Sequence, residues 1–257
     1  NVPQGVKIKA DKEEKKKILL KYTDLSLKAA GKNVDIIVWP ETMVPGILNI
    51  DPELLDREID RLSKESVRTI TDATSANLIL GGTAIDVRDT NALYFNTAFY
   101  FDRHGEYVNR YDKIHLVPFG EFIPFEKWLS FFSYIVPYTV SLSGGEQRTM
   151  FELDTMKDDR YCKFGVIICY EDTVAPLVRK FRKDGADFMI NITNDAWFHD
   201  SSELDQHLAV MVFRAVENRI SITRAANSGI SSYIAPNGEI YDYLANEGKY
   251  KEVEGIL

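Results

Sequence analysis

Three residues in distant parts of the chain carry side chains that together could transfer an acyl group. Residues 164–169 form an apolar run that predicts a buried strand ending on the thiol of Cys169. A thiol at a strand end can face a cleft, attack a carbonyl carbon and form a thioester that is broken later. Glu41 and Lys113 also stand just after predicted strands, so all three side chains occupy positions suited to a shared crevice.

Attack by Cys169 requires a base that takes the thiol proton and a positive group that stabilises the oxyanion. Glu41 follows a buried strand and a proline, and we interpret it as the candidate general base. Lys113 follows a predicted hairpin, where its ammonium would stabilise the oxyanion and also favour the Cys169 thiolate. These three residues are the candidate catalytic set.

Each candidate residue could also have a purely structural, non-catalytic role. Cys169 could be an inert core thiol, because cysteine is among the most buried residue types. Glu41 could cap the following turn, and Lys113 could be an ordinary surface lysine. Glu171 and Asp172 could cap a helix that starts near residue 173, which is the preferred interpretation for Asp172.

A second arrangement of the nucleophile is also open. Cys169 could be paired with His115 or His207, in the manner of papain-like enzymes. His207 lies among the inward-facing residues of a predicted helix, where a hydrogen-bonded core histidine is the favoured interpretation. His115 follows Lys113 by two residues and could pack beneath the same loop.

The bulk composition excludes several classes of function. The chain has 257 residues and a net charge of -8, which disfavours nucleic acid as the main partner because phosphate binding requires a basic surface. Its two cysteines and four histidines show no zinc-binding spacing, so we predict no metal and no cofactor. No uncharged apolar stretch approaches the length needed to span a bilayer. The chain starts at Asn1 rather than Met, and we expect it to be part of a longer protein.

The apolar patterns predict helices alternating with strands, an α/β arrangement in one domain that covers residues 1–257. Predicted helices occupy residues 12–30, 51–75, the region around 177–181, and 204–218. Predicted strands occupy residues 34–39, 77–82, 93–101, 107–111, 164–169, 188–191, 220–225 and 231–235. Residues 113–148 are predicted to be mostly loop.

The residues around Glu41, Lys113 and Cys169 resemble those of the nitrilase superfamily, and within it the apolipoprotein N-acyltransferase family. The similarity covers nearly the whole chain, and residues 113–121 are its most specific part. The matching segments are residues 39–42 (WPET), 111–121 (YDKIHLVPFGE), 169–171 (CYE), 194–198 (NDAWF), 206–208 (QHL) and 224–230 (RAANSGI).

This resemblance implies a nitrilase-like four-layer α-β-β-α sandwich and an enzyme of the bacterial inner (cell) membrane, with the catalytic domain on the periplasmic side. It implies transfer of an acyl chain from a phospholipid, through a cysteine thioester, to the N-terminal amine of a diacylglyceryl-cysteine apolipoprotein. The expected partners are therefore a phospholipid donor, an apolipoprotein acceptor and a membrane surface. In this family Glu41 would be the general base, Cys169 the nucleophile and Lys113 the oxyanion stabiliser, aided by the backbone N–H of Tyr170.

Further residues match the family by position. Glu121 matches a second essential glutamate, which would position the lysine or relay protons. Tyr170 and Glu171 match residues that the family requires, and they would shape the pocket around the thiol. Two features depart from the family: the membrane helices are missing from this sequence, and His199 replaces the glycine that usually follows residues 197–198. Glycine permits backbone angles that histidine resists, so the conformation of this loop need not follow the family.

An aromatic segment follows Glu121 and is too short to span a bilayer. We interpret it as a mobile arm that enters the membrane interface and lines the path of the acyl chain. Its alternative role is to cover the core as any aromatic loop does. The lipid-facing residues would be Phe122, Phe125, Trp128, Phe131 and Phe132.

Other functions remain open for the same residues. A soluble amidase or carbamoylase would use the same triad and direct water to the thioester. A nitrilase-like domain could also serve as a non-catalytic binding module, or as an acyltransferase domain that is inactive without its membrane part.

Overall fold

The computed structural model describes residues 2, 11–51, 54, 57–88, 91–122, 141–155, 160–198, 201–244 and 255–257. The helices are α1 (Lys12–Leu27), α2 (Glu58–Thr74), α3 (Ala175–Lys183) and α4 (Glu203–Asn218). The strands are β1 (Ile36–Trp39), β2 (Asn77–Arg88), β3 (Asn91–Phe101), β4 (Tyr107–Asp112), β5 (Met150–Asp154), β6 (Tyr161–Ile168), β7 (Phe188–Asn194), β8 (Ser221–Asn227), β9 (Ser232–Ile234) and β10 (Ile240–Tyr243). A 3-10 turn, Cys169–Thr173, directly follows β6.

The first sheet has the strand order β1-β2-β3-β4, in which β1 and β2 are parallel and the other pairs are antiparallel. Successive side chains of a strand point to opposite faces, so β2 contributes to two cores. Leu78 and Leu80 pack with the buried side of α1 and α2, while Ile79 belongs to the core shared with the second sheet. Helix α1 begins at the N-cap Asp11, whose side chain accepts a hydrogen bond from the backbone N–H of Glu14 at 2.9 Å.

The second sheet has the order β10-β9-β8-β7-β6-β5, and its three central strands, β6, β7 and β8, are parallel. Parallel strands are normally buried on both faces, which accounts for the continuous apolar runs in β6 and β7. Helices α3 and α4 supply Leu177, Phe181 and Met211 to the same core. All three central strands run in one direction, so their carboxyl ends meet at a single edge of the sheet.

The two sheets pack face to face, with helices on their outer sides. Tyr100 of β3 meets Phe164 of β6 edge-on at a ring separation of 5.6 Å, and Phe151 of β5 lies 5.4 Å from the Tyr100 ring. Burying each such ring contributes about 1.5–3 kcal/mol to folding. The resulting four-layer α-β-β-α sandwich confirms the predicted fold class.

Most predicted elements are present, with one clear error. The sequence predicts a single helix from Asp51 to about residue 75, but α2 begins at Glu58. Its N-cap residue, Arg57, is extended (φ -111°, ψ 121°), so a helix cannot continue through it. Strands β5 and β10 were not predicted. The hairpin of β3 and β4 is confirmed, and the described parts of residues 113–148 are loop.

None of the helices in the described ranges combines the length and the apolar character that crossing a bilayer requires.

Candidate active site

The carboxyl ends of three strands bring the candidate catalytic residues to one place. Glu41 lies two residues beyond β1, Lys113 directly follows β4, and Cys169 directly follows β6. The ammonium of Lys113 lies 3.5 Å from Oε1 of Glu41. Cys169 is close enough for both charges to change the pKa of its thiol. The backbone N–H of Asn194, at the end of β7, donates to Oε2 of Glu41 at 2.9 Å and so ties the two sheets together at the site.

A glycine allows Glu41 to reach this position across the neighbouring strand. A Cβ atom on Gly81 of β2 would collide with the backbone oxygen of Pro40 and would lie 2.8 Å from Cα of Glu41. The chain then returns to β2 through a hydrogen bond of 2.9 Å from the N–H of Val44 to the carbonyl of Gly81. The Glu41 turn therefore depends on the absence of a side chain at residue 81.

Lys113 lies between two carboxylates and is almost fully buried, with 1% of its side chain exposed. Its Nζ is 3.0 Å from Glu121 in addition to its contact with Glu41. Burial disfavours the charged form, but the surrounding negative groups, Glu41 first among them, outweigh it and raise the pKa of Lys113. The ammonium therefore stays protonated, as an oxyanion-stabilising group must.

Asn96 of β3 links the same two carboxylates from the other side. Its side-chain amide donates to Oε1 of Glu41 at 2.6 Å and to Oε1 of Glu121 at 2.9 Å. Its backbone carbonyl accepts the N–H of Lys113 at 2.8 Å. Sequence reasoning did not identify this residue. The available signal was a single amide within the apolar run of β3, because a buried amide must find hydrogen-bond partners.

The backbone of Cys169 has a conformation that residues other than glycine rarely adopt. Its φ is +50°, in the left-handed region, and the residue is half-buried. Burial raises the pKa of its thiol, Glu41 raises it further, and the opposing effect of Lys113 is outweighed. Lys113 favours the thiolate as expected, but burial and Glu41 together keep the pKa of the thiol above its ordinary value, so attack by Cys169 requires a base.

Glu171 connects the loop that begins at Lys113 to the turn that begins at Cys169. Oε1 accepts the hydroxyl of Tyr111 at 2.8 Å and the backbone N–H groups of Ile114 and His115 at 2.8 and 3.0 Å. Oε2 accepts the N–H of Ile168 at 2.8 Å. Since Ile114 directly follows Lys113, this carboxylate fixes the lysine from the side of the cysteine turn.

Replacing Glu171 with Gln is expected to lower stability by about 1–3 kcal/mol, because the new amide group would face donors and leave at least one of them unpaired. The change should also slow acyl transfer, since the Lys113 loop loses its anchor. Thermal unfolding and single-turnover acylation measure the two effects. Glu152→Gln, at a side chain that is 63% exposed, is the matched control. Unchanged stability and rate in Glu171→Gln would contradict this role.

Neither of the two candidate histidines, His115 and His207, is paired with Cys169. Both ring nitrogens of His207 are engaged, Nε2 with Asp172 at 2.6 Å and Nδ1 with Asp195 at 2.9 Å. The interpretation of His207 as a hydrogen-bonded core residue is correct. The capping role preferred for Asp172 is wrong, because α3 begins after Val174 without a side-chain cap and the Asp172 carboxylate faces the core. His115 is exposed and contributes its backbone N–H to the site.

The remaining predicted residues are placed as follows. Tyr170 is 43% exposed beside the nucleophile. Phe122 is partly buried, and its carbonyl accepts the N–H of Phe119 at 2.8 Å. Within the described ranges, no group of three or more His, Cys, Asp or Glu side chains is arranged to hold a metal ion. Four predicted arm residues and the substituted loop residue lie outside the described residues: Phe125, Trp128, Phe131, Phe132 and His199.

Comparison with known proteins identifies the family. The model of the carbon-nitrogen hydrolase family matches residues 4–249, and the chain belongs to this family. It is 36% identical over 229 residues to an apolipoprotein N-acyltransferase from Geobacter metallireducens, covering 89% of this chain and 41% of that protein. It is 35% identical to one from Rhizobium rhizogenes, covering 81% of this chain and 37% of that protein. The predicted resemblance is confirmed, and the chain spans about two fifths of the length of these relatives.

Solved structures with the same fold include an amidase of the nitrilase superfamily from Nesterenkonia sp. AN1. One structure of it has a TM-score of 0.65 and 18% sequence identity, covering 91% of this chain and 82% of that chain. Another, with a TM-score of 0.63 and 17% identity over 90% of this chain and 83% of that chain, shows acrylamide attached to the active-site cysteine by Michael addition. This likeness supports the nitrilase-like sandwich.

Proposed function

We propose that this chain is the catalytic domain of an N-acyltransferase that moves an acyl chain from a phospholipid to the N-terminal amine of a diacylglyceryl-cysteine lipoprotein. One observation carries the proposal: a buried lysine lies between two glutamates, beside a half-buried cysteine at the end of β6. The names of the relatives give the reaction class. The arrangement of these side chains and the names of the relatives together favour a thiol nucleophile that uses a base and a fixed positive charge.

In the first half-reaction, Glu41 takes the thiol proton while the sulfur of Cys169 attacks the ester carbonyl of the phospholipid. Lys113 stabilises the negative oxygen of the tetrahedral intermediate, aided by the backbone N–H of Tyr170. The carbon–oxygen ester bond then breaks, and Glu41 returns its proton to the departing alkoxide. The products are a lysophospholipid and an acyl thioester on Cys169.

In the second half-reaction, the amine of the lipoprotein attacks the thioester carbonyl. Glu41 accepts a proton from the amine, and the carbon–sulfur bond breaks to give an amide. The sulfur of Cys169 leaves and regains the proton from Glu41. Glu121 keeps Lys113 in place through both steps, which is the positioning role that its 3.0 Å contact supports.

Exposed aromatic side chains on the site loops support a lipid donor. Phe119 lies on the Lys113 loop, Tyr170 follows Cys169, and Trp197 and Phe198 lie on the loop after β7; each is between 38% and 50% exposed. Aromatic side chains suit the boundary between water and acyl chains. We propose that this surface and the arm around Trp128 guide the acyl chain to the thiol.

We further propose that residues 1–257 form one domain of a longer protein in the bacterial inner membrane, with this domain on the periplasmic side. The proposal follows from the longer relatives, of which the chain spans about two fifths. The membrane part would hold the phospholipid donor and the anchored acceptor near the site.

The test uses phospholipid vesicles, a synthetic diacylglyceryl-cysteine peptide and the domain joined to its membrane part. N-acylated peptide and lysophospholipid in equal amounts are the expected products, and Cys169→Ser should form neither. Release of ammonia from small amides, with no transfer to the peptide, would instead indicate an amidase. Absence of every reaction, with no labelling of Cys169 by acyl esters, would leave a binding module and overturn the proposal.

A further inference from the structure

Four charged side chains form a buried cluster directly behind the nucleophile turn. We call Asp172, Asp195, His207 and Arg224 the charge cluster. They come from four separate parts of the chain: the 3-10 turn after β6, the end of β7, α4 and β8. The two aspartates and Arg224 are at most 1% exposed, and His207 is 9% exposed. Burying four ionisable groups is costly unless they pair with one another, so such an arrangement calls for an explanation.

The contacts within the charge cluster form a closed ring. His207 bridges Asp172 at 2.6 Å and Asp195 at 2.9 Å. One nitrogen of Arg224 lies 2.8 Å from Asp195 and 3.0 Å from Nδ1 of His207. A second nitrogen of Arg224 lies 3.6 Å from Asp172. A glycine accommodates the ring, since a Cβ on Gly229 would collide with the carboxylate of Asp195.

The charges balance only when the histidine is an imidazolium. Asp172, Asp195 and Arg224 are the charged groups that face His207, and together they carry one net negative charge. Hydrogen bonds and attraction from the aspartates outweigh burial and the repulsion from Arg224, and raise the pKa of His207 to about 9. Arg224 is the main influence that lowers the pKa of Asp195, to about 2 despite burial. With His207 as an imidazolium, the cluster contains two positive and two negative groups.

Two connections lead from the charge cluster to the thiol. Asp172 lies three residues after Cys169 in the same five-residue turn, so the His207 contact holds the far end of that turn. The buried Thr193 donates its hydroxyl to Asp195 at 2.8 Å, and it is near enough to Cys169 to lower the pKa of that thiol. The backbone of Cys169 is in a strained left-handed conformation, which persists only where the surroundings hold it.

We propose that His207, as an imidazolium, is a positioning residue that fixes the Cys169 turn in its reactive geometry through Asp172 and Asp195. The inference takes from the proposed function only that Cys169 is the nucleophile. Deprotonation of His207 would leave one uncompensated buried negative charge and release the turn. The stabilisation from His207 is complete below its unfolded pKa of about 6.5 and is lost as the pH rises through about 9.

The experiment measures acylation of Cys169 by p-nitrophenyl butyrate, an activated ester that needs neither phospholipid nor acceptor. The size and rate of the nitrophenolate burst are recorded from pH 6 to 10, with Cys169→Ser subtracted as background. His207→Gln is expected to acylate at least 10-fold more slowly at pH 7.5, with an unchanged KM for the ester. The wild-type rate should fall above about pH 9 towards that of the variant, and the variant should lack this fall.

The double variant Asp172→Asn with His207→Gln keeps the proposal testable if the single variant folds poorly. It restores the charge balance with Asp195 and Arg224, so stability should recover while acylation stays slow. Recovery of both stability and rate would show a purely structural role and overturn the inference. Circular dichroism and thermal unfolding report global unfolding in every variant.

His104→Gln, at an exposed hairpin residue, is the matched control and should match the wild type. A wild-type rate and pH profile in His207→Gln would also overturn the inference. A wild-type protein that shows the ester burst but transfers no phospholipid acyl chain would refute the proposed function and leave the His207 result interpretable.

Discussion

Replacing Lys113 with Met is expected to reduce acyl transfer by at least about 10³-fold. Methionine has nearly the length of lysine but no charge, so the oxyanion loses its stabilising group while the packing is largely kept. The two carboxylates of Glu41 and Glu121 would also lose the cation between them. An uncompensated buried charge costs about 3–5 kcal/mol, so the variant should unfold at a lower temperature as well. Single-turnover thioester formation and calorimetry measure the two effects.

Lys163→Met is the control, because that ammonium is 54% exposed and its ion pair with Glu152 spans 3.8 Å. Exposed pairs of this kind contribute about 0–1 kcal/mol, so the control should match the wild type in both measurements. A Lys113→Met variant that retained a tenth of the wild-type acylation rate would exclude the proposed role of the lysine.

Replacing Glu41 with Gln is expected to change two properties of Cys169 in opposite directions. Thioester formation should fall by about 10²–10⁴-fold, because the thiol loses the base that accepts its proton. Alkylation by iodoacetamide should become faster at neutral pH, because the negative charge of Glu41 raises the pKa of the thiol and the glutamine has no charge. The alkylation profile should therefore shift to lower pH. Both rates are measured by mass spectrometry of the peptide that contains Cys169.

The exposed Glu152→Gln variant controls for any general effect of losing a carboxylate, and both of its rates should equal those of the wild type. A Glu41→Gln variant in which both rates fell together would point to a displaced cysteine rather than a missing base. Unchanged thioester formation would show that Glu41 is not the base.

The order of helices and strands could be predicted because their apolar periodicity is local. The runs that end at Trp39 and Ile168 are bounded by a proline and a cysteine, and both strands lie where expected. The error at Asp51 arose because a good N-cap followed by proline predicts a helix start but not how far the helix extends. Arg57 is extended and interrupts the helix, and its guanidinium contacts the buried Asp60 at 3.2 Å.

The site could be predicted only in part, because its electrostatics depend on contacts between distant segments. The approach of Glu41, Lys113 and Cys169 followed from three strand ends and from the family resemblance. The raised pKa of the Cys169 thiol did not, because it reflects burial and the carboxylate of Glu41 more than the ammonium of Lys113. Asn96 was not predicted, because an amide in a strand gives no indication of the carboxylates to which it donates hydrogen bonds.

The charge cluster was even less predictable from the sequence, because its contacts also join distant segments. Asp172 looks like a helix cap by its position in the sequence, and its partner His207 is 35 residues away on another helix. Predicting a buried ion pair requires identifying both of its residues. Neither residue indicates its partner when the two lie far apart in the sequence. The network can be recognised only once β6, β7 and β8 bring their carboxyl ends to one edge.

The most direct test of the account is the mass of the peptide containing Cys169 after the protein, joined to its membrane part, meets phospholipid vesicles without an acceptor. We expect an increase equal to one acyl chain of the vesicle lipid, removed by hydroxylamine and absent in Cys169→Ser. An unmodified Cys169 in protein that binds the vesicles and is folded would contradict the claim that this sulfur carries the acyl group.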